Sequence, residues 1–115
     1  MAGRASNGFT SVALTNTLVQ VKAAAGTIHA LTVTNAGTAQ FLQVLGVSTD
    51  VLGTDAPIYS VHIPASTTLH LTFPEGLAVG SPGVSTSRIR IAATAGATNA
   101  VAPAAAPTSV TVWFS

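Results

Sequence analysis

The chain has 115 residues and a mass of 11.4 kDa, the size of one small domain with a single core. It carries four basic and three acidic residues, so 6% of the chain is charged, against about 25% in ordinary soluble domains. The net charge of +1 argues against nucleic-acid binding, the wealth of apolar β-branched residues argues against disorder, and the absence of cysteine excludes disulfides and thiolate zinc sites.

The hydrophobic pattern is that of β-strands, because apolar residues alternate with polar ones and Gly, Pro, Asn and Ser separate the runs at spacings of about ten residues. We expect eight strands, at Phe9–Leu14, Thr17–Lys22, Thr27–Thr34, Gln40–Leu45, Pro57–Ile63, Thr68–Phe73, Arg88–Ala92 and Val110–Phe114. The predicted fold is therefore all-β: a single-domain antiparallel β-sandwich, jelly-roll-like, over residues 9–115. A flexible N-terminal arm is expected over residues 1–8. The order of the strands stays open.

The two strands around Pro64–Thr68 are predicted to form a hairpin. Ile63 is expected to pair with Leu69, and Val61 with Leu71, because this register turns the large apolar side chains of both strands to the core. A slip by one residue would expose them.

Two further segments are assigned from their turn residues. Gly76 and Gly80 are expected to take positive φ angles in the corner that follows the sixth strand. The Ala-rich stretch from Ala92 to Ser109 is broken by Gly and Pro and is interpreted as a long surface loop.

Membrane segments are not predicted. Charge-free stretches such as Ile91–Ser115 are mostly Ala and Thr with Gly and Pro breaks, whereas a spanning helix needs about 20 predominantly apolar residues. Near the start, Arg4 is followed by Ala-Ser-Asn-Gly and not by the apolar run of a signal peptide.

Histidine is the main candidate metal ligand. The predicted hairpin sets His62 opposite His70 on its outer face, where two imidazoles can converge on zinc or nickel. A site of this kind, including that of a cupin-type metalloenzyme, needs further ligands, and the sequence places neither His29 nor a carboxylate beside the pair. An exposed pair on a Thr-rich sheet face is favoured, and no metal or other cofactor is predicted.

Catalytic patterns are also weak. The chain has no G-x-S-x-G motif, and its nearest fragment, Gly46–Asp50, lacks the second glycine. Asp50 and Asp55 lie in a turn-like stretch, where aspartate usually accepts hydrogen bonds from nearby backbone. We predict that the protein is not an enzyme.

Four residues are candidates for partner contacts. Arg88 and Arg90 share one strand face and either bind an acidic patch on a partner or simply solubilise that face. Trp113 either stacks on a sugar ring or packs at a sheet edge, and Arg4 belongs to the predicted arm.

The scarcity of charge favours an assembly subunit. A free monomer with so few charged residues has little colloidal protection, whereas outer faces of Thr, Ser, Ala and Gly are cheap to desolvate against other subunits. Burial between subunits would also stabilise a small core.

From residue 26 to residue 114 the chain resembles small virion proteins of tailed bacteriophages. The resemblance follows an ordered series of strands and corners: an opening strand ending in Asn, a partner strand, an Ile-Pro-Ala turn, a Phe-Pro-x-Gly-Leu corner and an Ile-Ala-Ala-Thr strand. These are Gly26–Asn35, Gln40–Leu45, Ile63–Phe73, Pro74–Leu77 and Arg88–Ala97. The chain departs from the family at its closing strand, where Trp113-Phe114 stands in place of the usual Tyr.

The resemblance implies a capsid decoration or cement subunit on the virion surface. Such a subunit is expected to form a homotrimer, to bind the major capsid protein or another virion protein in the assembled shell, and to stabilise the shell. It has no nucleic-acid or membrane partner. A tail-tip, fibre or receptor-binding module with lectin character is the alternative, and it would use Trp113, Tyr59 or the histidines on an exposed rim.

Overall fold

The computed structural model describes residues 7–12, 14–101 and 109–115. Every regular element in these residues is a strand. The described residues contain no helix long and apolar enough to cross a membrane. The strands are β1 (Asn7–Ser11), β2 (Val19–Lys22), β3 (Gly26–Asn35), β4 (Gln40–Val47), β5 (Tyr59–Ile63), β6 (Thr67–Val79), β7 (Ser87–Thr94) and β8 (Ser109–Phe114).

The strands form two antiparallel sheets of four strands each. Sheet A has the order β1-β8-β3-β6, and sheet B has the order β2-β7-β4-β5. Strand β1 pairs with β8, β2 with β7, β3 with β6 and β4 with β5, so the chain is one antiparallel ribbon wound into two layers. This is the jelly-roll arrangement of a β-sandwich, and the predicted fold class is confirmed.

The core lies between the sheets and is formed by alternate side chains of the strands. In β3, Leu31 and Val33 are fully buried while their neighbours are half-buried, and Ile89 and Ile91 of β7 face them from sheet B. Because a strand presents every second side chain to one face, the same alternation fixes what each sheet presents on its outer face.

A bulge interrupts the pairing of β3 with β6. Ile28 pairs with Leu77 and Ala30 with Thr72, so residues 73–76 of β6 stand opposite the single residue His29. Gly76 has a φ of 77° in this bulge and Gly80 has a φ of 79° just after β6, which confirms the positive angles expected there. Pro74 is tolerated because β6 is an edge strand.

The predicted hairpin is wrong. Strand β5 pairs with β4 in sheet B, and β6 pairs with β3 in sheet A, so the connection between them crosses from one layer to the other. Val61 is opposite Leu42, and Leu71 is opposite Leu31. Both strands still turn the predicted side chains toward the core, so the faces were correct and only the partners differ.

Three predicted boundaries also need correction. Strand β1 begins at Asn7, so the last two residues of the predicted arm belong to the sheet, and residues 1–6 lie outside the described residues. It ends at Ser11, whereas the predicted strand ran to Leu14. Strand β7 continues to Thr94, and Ala92 and Ala93 are fully buried, so the surface-loop assignment fails at its start. The last residue of that predicted loop, Ser109, begins β8, and its residues 102–108 lie outside the described residues.

Candidate interaction surface

The outer face of the two central strands of sheet B, β4 and β7, is covered by the chain's own loops. Leu42 and Val44 face the core, so Gln43 and Leu45 must face the opposite side. Both are nevertheless fully buried, as is Ala92 on the neighbouring strand. A second layer of protein therefore lies over this sheet.

Gln43 holds the loop after β7 onto the sheet. Its Nε2 donates to Thr94 Oγ1 at 2.7 Å, to the Asn99 carbonyl at 2.9 Å and to the Gly96 carbonyl at 3.3 Å. The hydroxyl of Thr94 donates in turn to the Gly96 carbonyl at 2.8 Å. Sequence reasoning missed Gln43, whose one signal is a polar residue between the apolar pairs Phe41-Leu42 and Val44-Leu45.

The two arginines of β7 bind loops of their own chain. Arg90 Nη1 donates at 3.1–3.2 Å to three carbonyls at and after the end of β4, those of Val47, Ser48 and Asp50. Arg88 Nη1 donates at 2.7 Å to the carbonyls of Ser85 and Ser87. The predicted shared face is confirmed, since Ile89 and Ile91 are buried on the other side. A contact of these arginines with a partner stays a prediction.

Asp50 and Asp55 behave as turn residues. Asp50 Oδ2 accepts from the backbone N–H of Val47 at 3.1 Å, and Asp55 Oδ2 accepts from that of Val51 at 2.6 Å. The interpretation of these two aspartates as turn-forming side chains is confirmed.

The outer face of sheet A, in contrast, carries small polar side chains that are exposed or half-buried. We call it the threonine face, and no Lys, Arg, Asp or Glu occurs among its described residues. Its members, assigned by alternation against the buried positions, are Gly8, Thr10, Ala30, Thr32, Thr34, Thr68, His70, Thr72, Ser109, Thr111 and Trp113.

Trp113 lies near the end of β8, an inner strand of sheet A, and belongs to the threonine face. Its cross-strand neighbours are Gly8 on β1 and Ala30 on β3, so small residues flank the indole on both sides. A Cβ placed on Gly8 would lie 3.8 Å from indole atoms Cδ1 and Nε1, so the ring reaches over the glycine. The His70 ring stands edge-on to the indole, with the ring centroids 6.1 Å apart and an angle of 69° between the ring planes.

Hydroxyl contacts order the neighbouring row of side chains. Thr10, Thr111, Thr32 and His70 stand opposite one another across four strands. The hydroxyls of Thr10 and Thr111 are 3.1 Å apart, and Thr32 Oγ1 is hydrogen-bonded to His70 Nδ1. The row is a hydrogen-bonded strip without Lys, Arg, Asp or Glu beside the indole.

The three histidines lie apart, so the predicted pair of His62 and His70 is wrong. His62 is on the outer side of sheet B with its ring 5.1 Å from Phe41, while His70 is on sheet A. His29 is half-buried, with Nε2 at 2.9 Å from Ser115 Oγ. Within the described ranges, no three His, Asp or Glu side chains are placed to share a metal ion.

Arg4 and Tyr59 complete the set of predicted contact residues. Arg4 lies outside the described residues. Tyr59 is half-buried on the side of the sandwich formed by the edge strands β5 and β6. Its ring packs edge-on against Phe73, with the ring centroids 5.4 Å apart and an angle of 88° between the ring planes. The threonine face thus keeps Trp113 and separates it from the two arginines, which lie on sheet B.

Comparisons of the chain with protein-family models, with curated proteins and with solved structures find no match. The chemistry of the chain's own surfaces therefore carries the functional argument.

Proposed function

We propose that the protein is a structural subunit of a tailed-bacteriophage virion, a decoration or cement subunit that binds the assembled capsid shell and stabilises it. The threonine face carries this proposal. The centres of protein interfaces are depleted of charged residues and enriched in tryptophan, and this face has no formal charge around Trp113.

The arrangement of the loops supports the same function. The chain's own loops occupy the outer face of sheet B over its central strands β4 and β7, so the larger uninterrupted sheet surface for a partner is on sheet A. Burying a threonine or serine hydroxyl costs little free energy when the hydroxyl finds a hydrogen-bond partner. Because these side chains alternate along the strands with the core-facing ones, a partner can cover them without any change in the apolar core.

Stabilisation would work by mass action. A subunit that binds the assembled shell, but neither free shell protein nor unfolded chains, lowers the free energy of the assembled state alone. It needs a rigid body, contacts with the major capsid protein or another virion protein, and self-association, for which the resemblance favours a trimer.

The direct test adds the purified protein to capsid shells of the same phage that lack it. We expect the melting temperature of the shells to rise with added protein until the sites are filled. Trp113→Ala should weaken binding at least about thirtyfold, because truncating a hot-spot interface tryptophan costs about 2 kcal/mol or more. Phe41→Ala, which removes an aromatic ring from the outer side of sheet B, is the matched control.

One observation favours a second candidate, a tail-tip or receptor-binding module with lectin character. Trp113 is half-exposed with the His70 ring beside it, an arrangement on which a sugar ring can stack. Glycan binding that Trp113→Ala abolishes, with no effect of the protein on shell melting, would replace the decoration proposal by this one.

A further inference from the structure

Strand β6 leaves one side unpaired. It is the edge of sheet A, with β3 on one side and no strand of the described chain on the other. Its first seven residues, Thr67–Phe73, contain no charged residue and no proline. Natural sheets protect their edges with charges, prolines and bulges, and here such features begin only at Pro74 and the bulge after it.

The side of the sandwich next to this edge is incompletely buried. Leu69, Leu71 and Phe73 of β6 pack against the core but remain half-buried, as do Tyr59 and Val61 of β5. The two edge strands therefore form an apolar seam along one side of the molecule. A strand added to β6 would cover part of that seam.

The sequence of the edge is symmetric. Thr68-Leu-His-Leu-Thr72 reads the same in both directions. When two copies pair antiparallel about His70, Thr68 meets Thr72, Leu69 meets Leu71, and His70 meets its own equivalent. Like residues then share each face, with leucines on the core side and threonines on the outer side.

The limits of the edge obey the same symmetry. Ser66 takes a φ of 52° and ends the straight strand on one side, while Pro74 has no N–H to donate and ends it on the other. In the register centred on His70 these two residues stand opposite each other, so both ends of the ladder stop together. A partner of unrelated sequence has no reason to match both limits.

We propose that β6 pairs antiparallel with β6 of a second copy, about a two-fold axis at His70, which joins two copies of sheet A into one eight-stranded sheet. The occupant is a second copy because the edge is complementary to itself in sequence, in length and in its lack of charge. The inference does not depend on the role in the virion.

Single cysteines test the register, since the natural chain has none. His70→Cys would place two cysteines directly opposite, with Cα atoms about 4.5–5.5 Å apart, within the range of a disulfide. Thr72→Cys is the matched control on the same strand, because its two copies would be about 14 Å apart along the ladder. His62→Cys is the control on the other edge strand.

Mild oxidation at low protein concentration should therefore convert His70→Cys, but neither control, to a disulfide-linked species of twice 11.4 kDa. Equal cross-linking of all three variants, or none of His70→Cys, would overturn the register.

Native mass measures the contact without a cross-link. The native assembly of the unmodified protein should contain an even number of copies: two, or six if the trimer favoured by the resemblance is joined in pairs through β6. His70→Lys should halve that number, because it sets two ammonium groups against each other at the axis. His62→Lys makes the same change on exposed β5 and should leave the mass unaltered. A mass of three chains, or a mass that His70→Lys leaves unchanged, would overturn the proposal. Circular dichroism confirms folding, and the cysteine series decides if His70→Lys unfolds.

Discussion

Single glycines allow the chain to turn where β6 ends and the path to β7 begins. Gly80 and Gly83 both have left-handed φ angles, 79° and 81°, but their surroundings differ. A Cβ on Gly80 would lie 2.9 Å from the Cβ of Ser87 and 3.2 Å from that of Ala25, whereas a Cβ on Gly83 would meet nothing within 4 Å. The backbone requirement is shared, and only Gly80 adds a packing requirement.

The two glycines give a matched pair of variants. Gly83→Ala should lower the free energy of unfolding by about 1–2 kcal/mol, the cost of a left-handed angle for an L-residue. Gly80→Ala should lower it by about 2–4 kcal/mol, because overpacking adds to the same backbone cost. Urea denaturation of both variants measures the difference, and equal losses would show that the site around Gly80 relaxes freely.

At this scale the sequence was informative wherever a residue acts on its own neighbours. The positive φ angles of Gly76 and Gly80 are predicted from their place in the corner after the sixth predicted strand, and the role of Asp50 and Asp55 from turn chemistry. Gln43 was not predictable, because its partners lie more than fifty residues away in sequence.

At the scale of elements, the crossing from β5 to β6 depends on the end of β3. Asn35 is buried, and its Nδ2 donates to the Pro64 carbonyl at 3.0 Å and to the Thr38 carbonyl at 2.9 Å. Its Oδ1 accepts from the Gly37 N–H and from Gln40 Nε2, both at 3.1 Å. One side chain thus ties the crossing to the turn between β3 and β4.

Removal of this side chain should destabilise the fold strongly. We expect Asn35→Ala to lower the free energy of unfolding by about 2–4 kcal/mol, because it removes four hydrogen bonds made by a buried side chain to partly buried or buried groups. Asn35→Asp keeps the shape and the acceptor but sets a buried carboxylate oxygen against the Thr38 and Pro64 carbonyls, and at neutral pH it should cost at least as much as Asn35→Ala. Asn16, which makes one exposed bond to the Ala100 carbonyl, is the control; Asn16→Ala should cost less than about 1 kcal/mol. Thermal or urea unfolding measures the loss of unfolding free energy in each variant. Equal losses in Asn35→Ala and Asn16→Ala would contradict this role of Asn35.

The hairpin error shows why partners are harder to predict than faces. Alternation placed Val61 and Leu71 on core-facing sides, and a short connection suggested that they meet. In the fold, β6 pairs along β3 in sheet A and β5 along β4 in sheet B, so two well-paired layers replace one local hairpin. The alternation of apolar and polar residues within a strand shows which face it buries. It does not show which distant strand will form hydrogen bonds along its edge.

At the scale of the whole molecule, the scarcity of charge governs the response to salt. With four basic and three acidic residues, the chain has few charge pairs that ions can screen. Raising NaCl from about 50 to about 500 mM should change the free energy of unfolding by less than about 0.5 kcal/mol, when measured below the concentration at which copies associate. A larger loss of stability in salt, followed by urea denaturation, would show that the arginine contacts of β7 carry an electrostatic share.

The sequence by itself determined the strand content, the core-facing side of each strand, the layered all-β class and the near absence of charge, because alternation and composition are local properties of the chain. The tertiary structure decided the strand partners, the burial of Gln43 beneath a loop, the separation of His62 from His70 and the exposure of the threonine face. Each of these depends on which distant segments meet. Burial of apolar surface stabilises many alternative strand pairings almost equally, and only the complete set of contacts in the folded molecule selects one of them.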